Sequence, residues 1–264
     1  MNAAMRNVSV LILAGQRAGV VDPLCAATGE GRKALIPILG RPMLSYVLEA
    51  LEAAGLPAPY HISGCSADVD ARLKDAPSAP GPAGSALAAL QSGITFPVLM
   101  TTADHPLLTP AMITEFIEQS KTSGADFCIG LAQESIIRPA YPDMKRTYLR
   151  FSDAAVSGCN LFYIANIHGL KAIEFWQEAQ HFRKQPLKLA RKLSLSLFWR
   201  YWRGKLSLDA ALDHASKTLG IKAAAVMMSV PEAAIDVDKP ADRDLVEAIL
   251  SQRKISSQGN GNAL

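Results

Sequence analysis

The chain has 264 residues, 49% hydrophobic and 19% charged, which supports a sizeable buried core and excludes an intrinsically disordered protein. Net charge is only +3, but it is unevenly placed. No acidic residue falls between Glu178 and Asp209, while eight Lys and Arg residues do.

In chain order, the apolar run Val8–Leu13 reads as a buried first strand. Polar Gln16 and Arg17 follow it with no small-residue cleavage site, so it is not a signal peptide. Met43–Ala54 is a helix, with Leu44, Val47, Leu48 and Leu51 at helical spacing. Pro59–Ser63 reads as a short strand and Ala67–Lys74 as a helix. The Pro- and Gly-rich stretch 77–84 is a loop, after which Ser85 caps a helix through Gln91. Pro97–Thr102 is a strand, and Thr109-Pro110 opens a helix as N-cap and N1. Ala125–Leu131 and Gly158–Ile164 are further strands. From His168 to Leu219 the pattern is helical, broken near Pro186 and Gly204. Ile221–Val230 returns to strand, Pro240–Gln252 is a helix, and the tail from Ser256 is expected to be disordered. Cys25, Cys65, Cys128 and Cys159 are scattered, with no C-x-x-C and no nearby His pairs. They read as free thiols of a cytoplasmic protein, not as a zinc site or disulfide framework. No apolar run is long enough to span a membrane.

Strands alternating with helices predict a mostly parallel sheet covered on both faces, with ligands outside the carboxyl ends of the strands. Three features fall there. The loop Ala14–Gly19 follows the first strand; it lacks both the dinucleotide glycine fingerprint and the P-loop pattern, and on its own it is equally a tight turn. Lys33, taken alone, is more often a solvated surface lysine. Asp104 arrives at the end of the strand 97–102, where a carboxylate suits Mg²⁺ but also a turn cap. Asp236 and Asp238 lie two residues apart, so on an extended segment they share a face. Their repulsion has to be relieved, by a metal, by nearby Lys239 or by solvent. Asp242 favours the first turn of the helix that follows, and His105 beside a proline reads as structural.

Four ordered motifs carry a resemblance: Leu-Ala-Gly with Arg17; Lys33-Ala34-Leu35 before Gly40-Arg41-Pro42-Met43-Leu44; Ala103-Asp104-His105-Pro106-Leu107; and Asp236-Val237-Asp238-Lys239-Pro240-Ala241-Asp242. Together they resemble the MobA-like nucleotidyltransferase family over roughly 8–165 and 221–250. The resemblance implies a Rossmann-like, GT-A-type three-layer α/β fold with a mixed sheet, spanning 1–255 as one domain with a helical insert near 167–219. It implies transfer of a nucleoside monophosphate from an NTP to a small phosphorylated acceptor, with release of pyrophosphate. Ala14, Gly15, Gln16, Arg17 and Lys33 would hold the triphosphate, Arg17 and Lys33 serving catalysis. Asp104 would bind Mg²⁺, with Asp238 or Asp236 as its second carboxylate. Gly84 and Ser85 would approach the nucleoside, and Gly158 and Asn160 the acceptor. The family usually carries Gly-Gly-x-Gly-x-Arg after the strand; here Gln16 replaces the second glycine and Arg17 falls early.

The segment 182–208 admits three readings. It is a helix with Leu189, Leu193, Leu197 and Tyr201 on the core and a solvated basic face, a lid that attracts an anionic acceptor, or a peripheral contact with anionic lipid. The last two combine if the acceptor is a lipid headgroup. Nucleic acid is disfavoured because no binding motif accompanies the charge. The rival function is a non-catalytic nucleotide-binding or membrane-surface regulatory protein. An NAD-dependent enzyme ranks behind both.

Overall fold

A computed structural model describes residues 5–16, 22–181 and 195–259. Arg17, the segment 182–194 with its basic residues, and 260–264 lie outside the described residues.

The first strand, β1 (Ser9–Leu13), is apolar on both faces. Val10 and Ile12 pack into one core cluster with Leu44, Val47 and Phe116, whereas Leu11 and Leu13 pack into another with Ala86, Leu90 and Ile173. A strand that feeds two cores must be central and covered on both sides. On the first side lie α2 (Met43–Ala53) and α4 (Pro110–Ser123), and on the second α3 (Pro82–Gln91) and α6 (Leu170–His181). The short helix α1 (Pro23–Thr28) starts where Asp22 Oδ1 accepts from the Leu24 and Cys25 amides.

β1 pairs in parallel with β4 (Tyr60–Ser63) on one side and β6 (Val98–Thr102) on the other. Beyond β4 lies β5 (Leu73–Asp75). Beyond β6 lie β9 (Ala155–Ile164), β7 (Phe127–Gln133) and β10 (Ala223–Met227), with β8 (Leu149–Arg150) on β9. Only β9 runs against its neighbours β6, β7 and β8. The chain first builds outward from β1 through β4 and β5, then returns to add β6 on the other side. The β1–β6 crevice is therefore a topological switch point, where such sheets bind ligands.

Several expectations need correction. Ala67–Lys74 is not a helix; it is a 3₁₀ turn at Ala67–Val69 followed by the edge strand β5. Burial of Leu73 beside β4 overrides the weak helical pattern. Ser85 is not a helix cap: α3 begins at Pro82 behind Gly81, and the Ser85 hydroxyl donates to Ala79 C=O and accepts from Ala79 N–H. The helix beginning at Pro240, α9 (Pro240–Gly259), continues past Ser256, where a disordered tail was expected. Beside α1 and β8, two further elements had no sequence forecast. One is the hairpin β2–β3 (Pro37–Ile38 and Arg41–Pro42), turned on Leu39 and Gly40 with positive φ; the other is α5 (Glu134–Ala140). The expected helical region beyond β9 consists, where described, of α6, α7 (Leu195–Trp202) and α8 (Leu208–Leu219). No helix among the described residues is long and apolar enough to cross a membrane.

Candidate active site

The loop after β1 is drawn tight. Ala14 N–H donates to Ser63 C=O at 2.8 Å, and Ala103 N–H donates to Leu13 C=O at 3.0 Å, so the chain segments leaving β1, β4 and β6 converge. Gly64, at φ +90°, faces Gly15 so closely that a Cβ would lie 2.4 Å from the Gly15 Cα. Only glycine fits there, and the backbone of 14–16 is held open to the crevice. Gln16 clamps this loop to the next segment. In the orientation that satisfies its amide, its oxygen accepts from Lys33 N–H at 2.6 Å and its nitrogen donates to Gly31 C=O at 3.2 Å.

Lys33 opens the 3₁₀ turn Lys33–Leu35, and the turn aims its side chain into the crevice. Its ammonium lies 2.7 Å from Asp104 Oδ2 and 2.6 Å from Asp238 Oδ1. Burial alone would lower the lysine's pKa, but the two carboxylates outweigh it and hold Lys33 well above its ordinary value, fully charged. The other Asp104 oxygen, Oδ1, is buried without a hydrogen-bond partner, as is the Thr102 hydroxyl at the end of β6. An orphaned carboxylate oxygen is costly unless something else completes it.

The segment carrying Asp236 and Asp238 alternates sharply. Ile235 and Val237 are buried in a third cluster with Ile36, Met43 and Val246, so both aspartates are turned out of that core. Val237 N–H donates to Asp104 C=O at 2.9 Å, which joins this segment to the end of β6. Asp242 accepts from the Asp238 and Lys239 amides at 3.1 and 3.0 Å, the helix-start role expected of it.

The two aspartates nevertheless have different partners. Asp238 meets Lys33, whereas Asp236 accepts from Arg146 Nη1 at 2.6 Å and from the Asn160 amide at 2.9 Å. Burial pushes the Asp236 carboxyl up, but Arg146 and Asn160 outweigh it and leave it below the usual carboxylate range. Arg146 also donates to Ser157 Oγ at 2.9 Å and to Gly158 C=O at 3.1 Å. Asn160 reaches Asp236 from a β-bulge: the β7–β9 register shifts between Ile129 and Leu131, and Asn160 takes φ +51°. Asn tolerates that left-handed conformation better than most residues. Arg146 went unnoticed in the sequence, since a lone arginine in a loop carries no pattern.

Lys33, Asp104 and Asp238 thus meet at one point, beside the 14–16 loop that Gln16 ties to Lys33. Asp236, Gly158 and Asn160 form a second corner around Arg146. Gly84 and Ser85 are buried where α3 packs on the 77–81 loop and α6, and the Ser85 hydroxyl is spent on Ala79. His105 is buried with Nε2 3.3 Å from Glu232 C=O, the structural role expected, and desolvation pushes its pKa down. Among the described residues no group of three or more His, Cys, Asp or Glu side chains is placed to hold a metal ion. Two carboxylates are nonetheless what Mg²⁺ takes from a protein when substrate phosphates complete its shell, and the orphaned Asp104 oxygen fits that donor set.

Charged groups thus gather at the switch point of a mostly parallel sheet, around a glycine-tight loop, where such sheets bind ligands. The chain belongs to the family of the MobA-like NTP transferase domain, which matches residues 10–196. A hypothetical transferase from Thermus thermophilus is 30% identical with a TM-score of 0.76, the match covering 90% of this chain and 100% of that one. A 2-C-methyl-D-erythritol 4-phosphate cytidylyltransferase, also from Thermus thermophilus, is 16% identical with a TM-score of 0.51, covering 92% and 98%. A CMP:2-keto-3-deoxy-manno-octonic acid synthetase complexed with CTP is 15% identical with a TM-score of 0.55, covering 94% and 99%. These last two share the GT-A-like fold. No curated protein sequence matches the chain.

Proposed function

We propose that the protein transfers a nucleoside monophosphate from an NTP to a small phosphorylated acceptor, with Mg²⁺ and with release of pyrophosphate. The observation that carries this reading is Lys33 shared between Asp104 and Asp238, with Asp104 Oδ1 buried and unpartnered beside the 14–16 loop. Asp104 and Asp238 would hold the divalent ion, which supplies charge neutralisation to the triphosphate. The backbone of Ala14, Gly15 and Gln16, the Lys33 ammonium and the Arg17 guanidinium would hold the phosphates. Gly84 and Ser85 would act through the shape of the 77–81 loop, the wall we assign to the nucleoside.

The corner formed by Gly158, Asn160 and Arg146 would receive the acceptor. Asp236 keeps Arg146 and Asn160 in place there. An acceptor phosphate oxygen forms the new bond to the α-phosphorus, the bond from that phosphorus to the bridging oxygen breaks, and the electron pair leaves with pyrophosphate. A phosphate nucleophile is already ionised near neutral pH, so the step needs positioning and charge stabilisation and no dedicated base. The four buried free thiols suit a reducing compartment, the cytoplasm.

The test is a thermal-shift screen of the four NTPs with and without Mg²⁺, followed by pyrophosphate release against a panel of phosphorylated acceptors. Mg²⁺-dependent stabilisation by at least one NTP is expected, and its absence for all four refutes the reading. Stabilisation without pyrophosphate release from any acceptor favours a non-catalytic binder.

A further inference from the structure

The helix α7 lies outside everything assigned to the reaction. Its exposed side is aromatic: Trp199 is 51% exposed and Trp202 is 70% exposed, their rings packed edge to face at 5.5 Å. Two large rings turned to solvent and to each other are not core residues, and contiguous exposed apolar surface of this kind marks an interaction site. Arg200, Arg203 and Lys205 are exposed on and beside the same helix, and the Arg203 guanidinium lies over the Trp199 ring at 5.6 Å.

The element is held on the body at this same C-terminal end, by the side chain between the two tryptophans and by the turn that follows. Tyr201 meets Phe151 edge-on at 5.8 Å. Ser152 N–H donates to Leu206 C=O at 2.8 Å, and Leu208 N–H donates to Asp153 at 3.0 Å. Gly204, at φ +63°, turns the chain so that Leu206 is buried. The aromatic end is therefore presented by a fixed turn.

Charge decides the partner. The sequence carries no carboxylate between Glu178 and Asp209, so nothing in the segment neutralises its cations or repels an anionic surface. Trp is the side chain that settles at the headgroup level of a bilayer, with its indole ring in the apolar boundary and its N–H in the polar one. Lys and Arg beside it meet lipid phosphates. We propose that α7 docks the protein peripherally on an anionic lipid bilayer, with Trp199 and Trp202 at headgroup depth and Arg200, Arg203 and Lys205 on the lipid phosphates. Nothing in this depends on the reaction assigned above.

Full-length protein would be co-sedimented with vesicles of phosphatidylcholine alone and with vesicles of phosphatidylcholine and phosphatidylglycerol in equal parts, at low and high salt. Binding to the anionic vesicles, weakened by salt, is expected, with a blue shift of tryptophan fluorescence. Two of the three tryptophans lie on this helix. Each cation removed is expected to weaken partition by about fivefold, so Arg200→Gln/Arg203→Gln/Lys205→Gln together lose about a hundredfold. Trp199→Ala/Trp202→Ala is expected to lose most of the protein sedimenting with the anionic vesicles while circular dichroism stays unchanged. Equal binding to both vesicle types, no binding at low salt, or full binding by either variant overturns the proposal. So does a wild-type dimer that the tryptophan variant converts to monomer, because the surface is then a protein contact.

Discussion

Lys33→Met is the most direct test of the site. The substitution keeps the aliphatic stem and removes the charge shared by Asp104 and Asp238. The side chains of Lys33 and Asp104 are 14% and 20% exposed, whereas Asp238 is 62% exposed. Breaking a buried pair costs about 3–5 kcal/mol, and an exposed pair contributes about 1 kcal/mol at most. The Asp104 limb lies between these limits and the Asp238 limb near the lower one, so the loss is about 2–3 kcal/mol. For a chain of this size that lowers the thermal midpoint by on the order of 5 °C. Turnover falls by about 10²–10³ if Lys33 stabilises charge on the transferring phosphate.

The same geometry has a further consequence. In the wild type the ammonium competes with any divalent ion for the two carboxylates, so Mg²⁺ or Mn²⁺ without nucleotide stabilises it weakly. In Lys33→Met that competition is gone, and a metal at about a hundred times its Kd restores roughly 2.7 kcal/mol. Thermal denaturation of both proteins, with and without Mn²⁺ and without nucleotide, reads this directly. An unchanged midpoint in the variant, or the same response to Mn²⁺ in both, refutes the reasoning.

Gly64→Ala places a Cβ 2.4 Å from the Gly15 Cα at φ +90°; strain and overpacking together cost about 2–4 kcal/mol, visible as a lower urea midpoint and weaker nucleotide binding. Gln16→Gly restores the residue usual in the family but removes the clamp on Lys33 N–H. One hydrogen bond contributes about 1 kcal/mol, so NTP affinity should fall about fivefold by titration calorimetry, and a gain in affinity would show that Gln16 obstructs the loop. Asp236 is held below its ordinary pKa by Arg146 and Asn160. Its stabilising contribution is therefore complete above the unfolded value of about 4 and is lost as pH falls through the lower folded value. Asp236→Asn should be less stable near neutrality and show a shallower loss below about pH 4; parallel curves of urea midpoint against pH would rule this out.

The chain's local chemistry was legible where the signal is local. Both faces of β1 are apolar, which predicted a buried strand; its central place came from the sheet order. Thr109-Pro110 started α4 as read, with the Thr109 hydroxyl accepting from Met112 N–H at 3.2 Å. The two-residue spacing of Asp236 and Asp238 told that they share a face, and burial of Ile235 and Val237 turns that face out of the core. Short elements were misread or missed. β5 has only Leu73 buried among its three residues, and β2 and β3 are two residues each, too short for any alternation to show, although Gly40 stands in their turn.

By itself, the sequence determined which residues stand at strand ends and which side chains must avoid the core, because alternation and capping act over a few residues. It did not determine partnership. Lys33 reaches Asp104 across 71 positions and Asp238 across 205, and Asp236 parts from Asp238 because Arg146 lies 90 positions away in a loop. Those pairings follow from strand order around β1 and from the β9 bulge that turns Asn160 toward Asp236. Sheet topology and backbone twist, which no local pattern encodes, decided that one aspartate faces the lysine and the other the arginine.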